Sequence, residues 1–265
     1  MSLKEDLAGI IPEDKIGLLG NYEMIGDVAI ISLPPGLDAY KSEAADAILT
    51  KRRHIRTVLN KLSKTEGDRR VPRYEVLKGE STVTTYKEYG FSYRFDVSLV
   101  FFNPGLKYEH HRIALMASPG EKVLLPFAGA GPFAIPLAAK GCRVLAVEKS
   151  AEACKWLRLN ARENGVEPNV DILNADALAL PSMIDTEFDR AVIPAPYGMD
   201  MALGKLAPMV RKGGHIHFYT FKKKYEIEGL IKKYEDMGLH LEGRRRCGNV
   251  APDVSRWAFD LKKEL

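Results

Sequence analysis

The sequence has few cysteines and no long apolar run, and each absence narrows the class of protein. The chain of 265 residues holds three cysteines, Cys142, Cys154 and Cys247, and none belongs to a C-x-x-C pair. This scarcity argues against a disulfide framework or a zinc-binding cysteine cluster and favours thiols in a reducing cytoplasm. No apolar run approaches a membrane span, and a signal-peptide pattern is missing. We therefore expect a cytoplasmic protein without a membrane partner.

The composition that remains is that of a globular chain with a full core. Hydrophobic residues make up 46% and charged residues 28% of the sequence. The length suits one large domain, or a standard domain with a smaller companion. The formal net charge of +4 is only mildly basic. It permits a nucleic-acid partner without requiring one.

The stretch 123–149 predicts a nucleotide-binding βαβ unit. A short apolar strand runs into a glycine-rich turn at 127–133, and after a helix a second apolar strand ends on Glu148. Gly129 and Gly131 let the backbone turn tightly and approach a ligand closely, which a Cβ would prevent. A carboxylate at the end of the second strand can accept hydrogen bonds from both ribose hydroxyls. These features indicate a bound nucleotide.

The identity of the nucleotide depends on later strand ends. Residues 129–134 also satisfy the dinucleotide fingerprint G-x-G-x-x-G/A, so NAD is an alternative. Two features favour S-adenosylmethionine (SAM). Residues 174–176 offer polar groups after the strand predicted at 170–173, where an adenine amino group would lie. Residues 188–197 end a fourth strand, where class I methyltransferases present their acceptor site.

The rest of the chain predicts two domains. After residue 119, strands at 190–193, 215–221 and 256–261 alternate with helices at 203–210 and 225–237. This α/β rhythm predicts a Rossmann-like domain at 119–265, with a parallel sheet and an antiparallel last strand. Before it, a strand at 24–33, a helix at 37–53 and a hairpin within 82–102 predict a small α+β domain at 1–99. We expect a bridge at 100–118.

Several scattered segments resemble one known family. They are Phe102-Asn-Pro104, Tyr108-Glu-His110, the turn at 127–133, His217-Phe-Tyr-Thr220, Val250-Ala-Pro252, Arg256-Trp257 and Asp260-Leu261. The sequence resembles the archaeal and eukaryotic tRNA guanine-N1 methyltransferases that act beside the anticodon. It equally resembles the wyosine-pathway tRNA aminocarboxypropyltransferases, which share their scaffold. The resemblance implies a class I SAM-dependent enzyme that modifies a purine in tRNA.

The resemblance also implies roles for individual residues. Glu109 matches a family glutamate proposed to remove the guanine N1 proton, and Arg70 matches an arginine aimed at the target guanine. Pro194 and Tyr197 would complete the acceptor site, with Tyr197 stacking on a base. The expected cofactor contacts are Phe127, Ala128, Gly129, Gly131, Phe133, Glu148, Lys149, Asp176, Ala177 and Pro194. The expected RNA contacts are Arg69, Arg70, Arg73, His110, Lys222 and Lys223.

Three departures from the family pattern bear on which group is transferred. Pro194 replaces an asparagine of the methyltransferases, Leu125 replaces an aspartate before the glycine turn, and Gly105 replaces an arginine. Proline supplies neither a side-chain donor nor a backbone N–H. The aminocarboxypropyl branch also lacks that asparagine, whereas the segments 131–133 and 217–220 look more like the methyltransferases. We favour methyl transfer to N1 of a guanine next to the anticodon. The alternatives are aminocarboxypropyl transfer and a catalytically weakened RNA-binding relative.

The histidine pairs do not predict a metal centre. His110 and His111 are adjacent, and His215 and His217 alternate along a predicted strand, but no carboxylate or cysteine lies at ligand spacing. We therefore expect no metal. We also expect a monomer.

Overall fold

The computed structural model describes residues 3–63 and 71–264, which form two compact units. The first unit is Met1–Phe102 and the second is Asn103–Leu265. Most of the stretch predicted as a bridge, from 103 to 118, therefore lies within the second unit. Among the described residues, no helix has the length and apolar character that a membrane crossing needs.

The first unit combines two small sheets with short helices. Its helices are α1 (Leu3–Asp6), α2 (Glu13–Ile16) and α3 (Lys41–Lys51). Its strands are β1 (Glu23–Ile25), β2 (Val28–Ile31), β3 (Thr57–Lys61), β4 (Tyr74–Lys78), β5 (Val83–Glu88) and β6 (Phe91–Asp96). Strands β1 to β4 pair in chain order, and β5 and β6 form a separate hairpin. The strand predicted at 24–33 is therefore two antiparallel strands, joined by a turn at Gly26 with φ of +59°.

Alternating side chains on β6 build the core of the hairpin. Tyr93 and Phe95 are fully buried, whereas Arg94 between them is exposed. The Phe95 ring stacks on Phe102 with 4.6 Å between the ring centroids. This burial confirms the period-two pattern in the sequence, because successive side chains of a strand point to opposite faces.

The second unit is a seven-stranded sheet with interleaved helices. Its helices are α4 (Lys107–Met116), α5 (Ala134–Ala139), α6 (Ala151–Glu163), α7 (Met201–Leu206) and α8 (Ile227–Asp236). Its strands are β7 (Lys122–Pro126), β8 (Arg143–Glu148), β9 (Val170–Asn174), β10 (Phe188–Pro194), β11 (Val210–Lys223), β12 (Leu239–Ala251) and β13 (Val254–Lys263). The strand order is β12-β13-β11-β10-β7-β8-β9. The α/β fold class is confirmed.

The order in which successive strands are added to the sheet reverses at β7. Strands β7, β8 and β9 extend it to one side, and the chain then returns to place β10 and β11 on the other side, all five being parallel. In an open α/β sheet, ligands bind beyond the carboxyl ends of the strands at such a switch point. The segments that follow β7 and β10 therefore border the expected crevice.

The outer edge of the sheet differs from the sequence-based expectation. Strand β13 is antiparallel to β11, as predicted for the last strand, but β12 pairs with β13 as a further strand that the sequence did not predict. Its residues 239–247 alternate between shielded and exposed positions, and the exposed ones are charged or polar. In the sequence alone, the arginine run 244–246 is typical of a solvated surface, but charged side chains are also common on edge strands.

The two faces of β11 are covered by different helices. Phe218 and Phe259, paired across β11 and β13, contact Tyr234 of α8 at ring distances of 6.0 and 5.3 Å. Tyr219 points to the opposite face, where its hydroxyl donates to Glu109 of α4. Helix α8 thus closes an apolar face, and α4 closes a polar one.

Candidate active site

The glycine-rich turn after β7 adopts a conformation that few residues tolerate. Phe127, Gly129 and Gly131 have positive φ angles of 56°, 55° and 96°. The left-handed region strains a residue with a Cβ, so the surroundings must enforce it at Phe127. The amide of Gly131 donates to the carbonyl of Ala128 at 3.0 Å, which closes the turn. The turn after β7 is therefore closed by a backbone hydrogen bond.

Helix α6 supports the turn from below. A Cβ on Gly131 would lie 2.3 Å from Cδ1 of Leu157, which is closer than any side chain permits. Asn160 is wholly buried, and its Nδ2 donates to the carbonyl of Ala130 at 3.0 Å. Ser150 begins the helix, because its Oγ accepts from the amide of Ala153. Because Gly131 has no Cβ, the turn can lie close to Leu157 of α6. The hydrogen bond from Asn160 to the carbonyl of Ala130 holds the turn in that position.

The carboxylate of Glu148 is joined to the same turn. Its Oε2 accepts from the amide of Gly129 at 2.9 Å, and its Oε1 accepts from the amide of Ser150 at 2.8 Å. Asn174, at the end of β9, donates to the carbonyls of Glu148 and Lys149, both at 2.9 Å. The ends of β7, β8 and β9 are therefore connected by hydrogen bonds. Glu148 lies beside the turn, as predicted.

The next predicted cofactor residues follow β9. Asp176 is exposed, and its Oδ1 accepts from the amide of Leu178 at 2.9 Å, which caps a short 3-10 turn. Ala177 is buried beneath it. A second carboxylate thus projects at the carboxyl edge of the sheet, one strand beyond Glu148.

The segment after β10 forms the other side of the switch point. Pro194 ends the strand, and the amide of Ala195 donates back to the carbonyl of Ile193 at 2.8 Å. Tyr197 is 63% exposed, and its ring lies 5.5 Å from the ring of Phe221 on β11. The segment therefore presents an accessible aromatic side chain beyond the strand end.

Glu109 is buried and surrounded by donors. Its Oε2 accepts from Arg112 at 2.8 Å and from the hydroxyl of Tyr219 at 2.9 Å. Its Oε1 lies 3.3 Å from Arg245 of β12. Burial and the neighbouring Glu109 raise the pKa of Tyr219 well above its usual value, so the hydroxyl stays protonated and donates. The carboxylate is thus held in one orientation by α4, β11 and β12.

A chain of charged groups continues from Glu109 into the sheet. Arg112 makes two hydrogen bonds to Asp260, at 2.7 and 3.1 Å. Asp260 contacts Nδ1 of His217 at 2.6 Å, and Nε2 of His217 contacts Arg190 at 2.6 Å. Arg190 in turn forms an ion pair with Glu121 at 2.7 Å, which is the last contact of this series. A continuous series of polar contacts therefore runs from Glu109 of α4 to Glu121, the residue before β7.

The protonation of this chain follows from burial and contacts. Burial raises the pKa of Asp260, but hydrogen bonds from His217 and Arg112 outweigh it and lower the pKa to about 2. Burial lowers the pKa of His217, so its ring is neutral near pH 7. Since Asp260 can only accept, Nδ1 carries the proton and Nε2 accepts from Arg190. The network is satisfied in a single tautomer.

The aromatic residues connect Glu109 to the turn. Phe133 closes the turn, is buried, and lies 5.4 Å from the ring of Tyr219. His110, which the sequence predicted to contact RNA, is 2% exposed and packs edge-on against Phe133 at 4.6 Å. A side chain this deeply buried does not present a surface to RNA in this conformation. Helix α4 and the turn thus share one aromatic cluster.

The remaining predicted residues do not assemble into one described cluster. Arg69 and Arg70 lie outside the described residues. Arg73 is exposed in the first unit. In the second unit, Lys222 pairs with Asp200 at 2.6 Å, and Lys223 lies 5.8 Å from the centroid of the Tyr225 ring. Both lysines lie at the carboxyl end of β11.

Four residues of the site carried no assigned role at the sequence level. They are Arg112, Asn160, Tyr219 and Asp260. Tyr219 and Asp260 lie in segments that resemble the family, which was the available signal. Arg112 and Asp260 are 148 positions apart, so no local pattern links them. Within residues 3–63 and 71–264, no group of three or more potential metal ligands occurs.

Comparisons with known families cover nearly the whole chain. The model of the TRM5/TYW2 methyltransferase domain matches residues 84–242, and the model of the TYW2 N-terminal domain matches residues 3–82. The two matches fall on either side of residue 83. The larger match includes Glu109 of α4, the glycine turn, Glu148 and most of the seven-stranded sheet.

Individual relatives agree with the family models. A tRNA (guanine(37)-N(1))-methyltransferase, Trm5b of Pyrococcus abyssi, is 32% identical over 250 residues, covering 91% of this chain and 74% of the relative. A tRNA(Phe) (4-demethylwyosine(37)-C(7)) aminocarboxypropyltransferase of Pyrococcus horikoshii is 32% identical over 269 residues, covering 98% and 95%. The structure of Pyrococcus horikoshii TYW2 with MeSAdo superposes with a TM-score of 0.77 at 28% identity, covering 98% and 97%.

The glycine turn yields a first prediction. Gly131→Ala places a Cβ against Leu157 at a positive φ and should lower the free energy of unfolding by about 2–4 kcal/mol. The displaced turn should also weaken SAM binding at least tenfold. Gly120→Ala is the matched control, because its φ is +87° but no atom lies within 4 Å of its Cβ. Urea unfolding and calorimetric titration with SAM measure both effects. Equal losses in both variants would contradict the proposed close contact.

The low pKa of Asp260 predicts that the stability of the fold depends on pH. Its folded pKa of about 2 lies below the usual unfolded value of about 3.9, so its stabilisation is complete above pH 4 and is lost toward pH 2. The shift corresponds to about 2–3 kcal/mol. Asp260→Asn should lower the free energy of unfolding by about 3–5 kcal/mol at pH 6, because Arg112 and His217 lose their negatively charged partner. The difference from the wild type should shrink below pH 4 in urea titrations. Asp171→Asn, at an exposed position of β9, is the control, and a pH-independent difference for Asp260→Asn would refute the assignment.

Proposed function

Because the chain belongs to the TRM5/TYW2 methyltransferase family, we propose that it transfers a methyl group from SAM to N1 of the guanine next to the anticodon of tRNA. It is a SAM-dependent enzyme that modifies tRNA, as its family is. The observation that carries the proposal is the buried carboxylate of Glu109, which is linked through Tyr219 and Phe133 to the glycine turn. A fixed proton acceptor beside a cofactor turn is what this reaction needs.

The ends of β7, β8 and β9 fit the adenosyl part of SAM. Each oxygen of Glu148 accepts one backbone amide and keeps a further lone pair for a ribose hydroxyl. Asp176 and Ala177 lie one strand further, where the adenine would contact them. Lys149 would lie beside the ribose. The methionyl part would be bordered by Phe127, Ala128, Gly129, Gly131, Phe133 and Pro194. These contacts are part of the proposal.

Glu109 would act on the acceptor base. A guanine N1 that keeps its proton is a poor nucleophile, so a base must accept that proton within hydrogen-bond distance. Oε2 accepts hydrogen bonds from Arg112 and Tyr219, whereas Oε1 has a longer contact of 3.3 Å with Arg245, so we assign Oε1 as the oxygen that takes the proton. SAM supplies the electrophilic carbon on its sulfonium. Negative charge then develops on guanine O6, and Arg70 remains our proposed partner for it.

The RNA would contact both units of the chain. We assign Arg69, Arg70 and Arg73 of the first unit, and Lys222 and Lys223 of the second, to phosphate or base contacts. Tyr197 would stack on a base, since its ring is accessible beyond β10. A monomeric state, a cytoplasmic location and catalysis without a metal belong to the same proposal.

Aminocarboxypropyl transfer is the second candidate function. Residues 3–82 match the TYW2 N-terminal domain, and the chain spans 95% of the aminocarboxypropyltransferase relative. Pro194 supports the same alternative, because it cannot provide the donor that an asparagine would. In this case the 3-amino-3-carboxypropyl group of the same sulfonium would be transferred and 5′-methylthioadenosine would leave, and the acceptor would be a purine that has already been modified.

A labelling experiment with two tRNAs distinguishes the candidates. The protein is incubated with SAM labelled either in its methyl or in its carboxyl group. One tRNA carries unmodified guanine at position 37, and the other carries 4-demethylwyosine, the acceptor named for the second relative. Methyl label on the first tRNA is the expected result. Carboxyl label on the second would replace the leading proposal by the alternative. Label on neither, with tRNA binding retained, would indicate a catalytically weakened relative.

The role of Glu109 predicts a further outcome. Glu109→Gln removes the proton acceptor and should lower the transfer rate by about 10²–10⁴-fold while SAM affinity is retained. Glu121→Gln is the matched control, because Glu121 ends the same charged chain at Arg190. It should reduce stability but keep most of the single-turnover rate. Equal rate losses in the two variants would show that Glu109 acts only through the stability of the network.

A further inference from the structure

Arg256 occupies an unusual position at the carboxyl end of β11. It lies on β13 directly across from Phe221, and its guanidinium is 4.8 Å from the centroid of that ring. The ring of Phe221 also contacts Tyr197, the accessible aromatic after β10, at 5.5 Å. A cation and a second aromatic ring therefore both contact Phe221 at the carboxyl end of β11.

Arg256 differs from other arginines of the second unit in its partners. Within the described part of the chain, the guanidinium of Arg256 makes no hydrogen bond or ion pair. It contacts the ring of Phe221. Six other arginines contact a carboxylate: Arg112, Arg162, Arg190, Arg211, Arg244 and Arg245. Burial lowers the pKa of Arg256, which is the direction expected for a shielded cation without an acid. Shielded charges in proteins are usually paired, so the missing partner is informative.

The contact with Phe221 does not replace an acid. A cation over an aromatic ring is stabilised only modestly, whereas shielding a charge from water costs more unless an anion pairs with it. Arginine presents a planar set of donors that suits phosphate or carboxylate oxygens. An anion brought by a ligand would complete the site. The ring of Phe221 keeps the guanidinium in place before it arrives.

The position of β13 in the sheet indicates which ligand brings the anion. Strands β11 and β10 separate β13 from β7, so Arg256 lies about 14 Å from the strand that leads into the glycine turn, at ~4.8 Å per strand. Glu148 ends a strand one position further away. The carboxylate of a cofactor seated on the turn would therefore be distant, and the acceptor RNA would be near.

The geometry points to Arg256 as a binding site for one phosphate of the tRNA backbone beside the target nucleotide, with Tyr197 stacking on the adjoining base. This inference rests on the proposed function, since it assumes that tRNA is the substrate. It adds a residue that the sequence reasoning did not select for RNA binding. It also gives a reason for an arginine that lacks an acid in the protein itself.

The test is the salt dependence of tRNA binding by the full chain with saturating SAM. Arg256→Gln should weaken binding several-fold and reduce the slope of log K against log salt by about 0.7–0.9, the value for one lost phosphate contact. Arg256→Lys should keep most of the slope, because it keeps the charge. The affinity for SAM should not change in either variant. Thermal unfolding of Arg256→Gln should remain near that of the wild type.

Arg211→Gln is the matched control. Arg211 lies on β11 ten residues before Phe221, on the order of 30 Å away along the strand, and pairs with Asp189. Its replacement should leave the slope for tRNA unchanged. If Arg256→Gln also leaves the slope unchanged but lowers the unfolding temperature, the arginine is structural and the inference is wrong. A loss of SAM affinity with an unchanged slope would assign the anion to the cofactor carboxylate and equally overturn it.

A second measurement locates the phosphate. Uncharged methylphosphonate linkages are placed one at a time around the target nucleotide of a synthetic tRNA. One linkage should weaken binding to the wild type and have no further effect on Arg256→Gln, because both changes remove the same contact. Additive effects at every linkage would exclude a direct contact. If the wild type itself does not bind tRNA, the proposed function fails, and this result is distinct from a wild type that binds and a variant that binds equally well.

Discussion

The carboxylate of Asp260 bridges a guanidinium and an imidazole inside the second unit, and the rest of the candidate site depends on this bridge. Withdrawing each charge from water costs several kcal/mol, and only close contacts with opposite charges and donors offset that cost. Here the offset is supplied by Arg112 on one side and His217 on the other. The low pKa of Asp260 shows that these contacts outweigh its burial. One side chain of β13 thereby fixes α4 against β11.

The same bridge determines the position of the proposed base. Arg112 uses its donors on both Asp260 and Glu109, so a shift of Asp260 would move the carboxylate of Glu109 as well. Tyr219 provides the second support from β11, and its ring continues into Phe133 at the glycine turn. The orientation of the Glu109 carboxylate therefore depends on side chains of the strands β11 and β13. Catalytic geometry built on strands and helices is held more tightly than geometry built on loops.

The sequence predicted the features that depend on local patterns. The strand, glycine turn, strand and acid leading to Glu148 were predicted correctly, because turn chemistry and apolar runs are local signals. Strand β12 was missed because its arginines resembled a solvated cluster, although an edge strand exposes half of its side chains. His110 was predicted to contact RNA, but its burial beside Phe133 depends on how α4 packs. The pairing of Arg112 with Asp260 is set by the tertiary fold.

The sheet separates two kinds of charge along its carboxyl edge. Acids follow β8 and β9, where Glu148 and Asp176 suit hydroxyls, an amino group and a sulfonium. Cations lie at the end of β11 and at the start of the antiparallel strand β13, where Lys223 and Arg256 suit phosphates. Since Pro194 is paired with Tyr219, the last four residues of β11 extend about 13 Å beyond the end of β10. This extension places the cations beyond the switch point, so a cationic cofactor and an anionic RNA can meet there without competing for the same side chains.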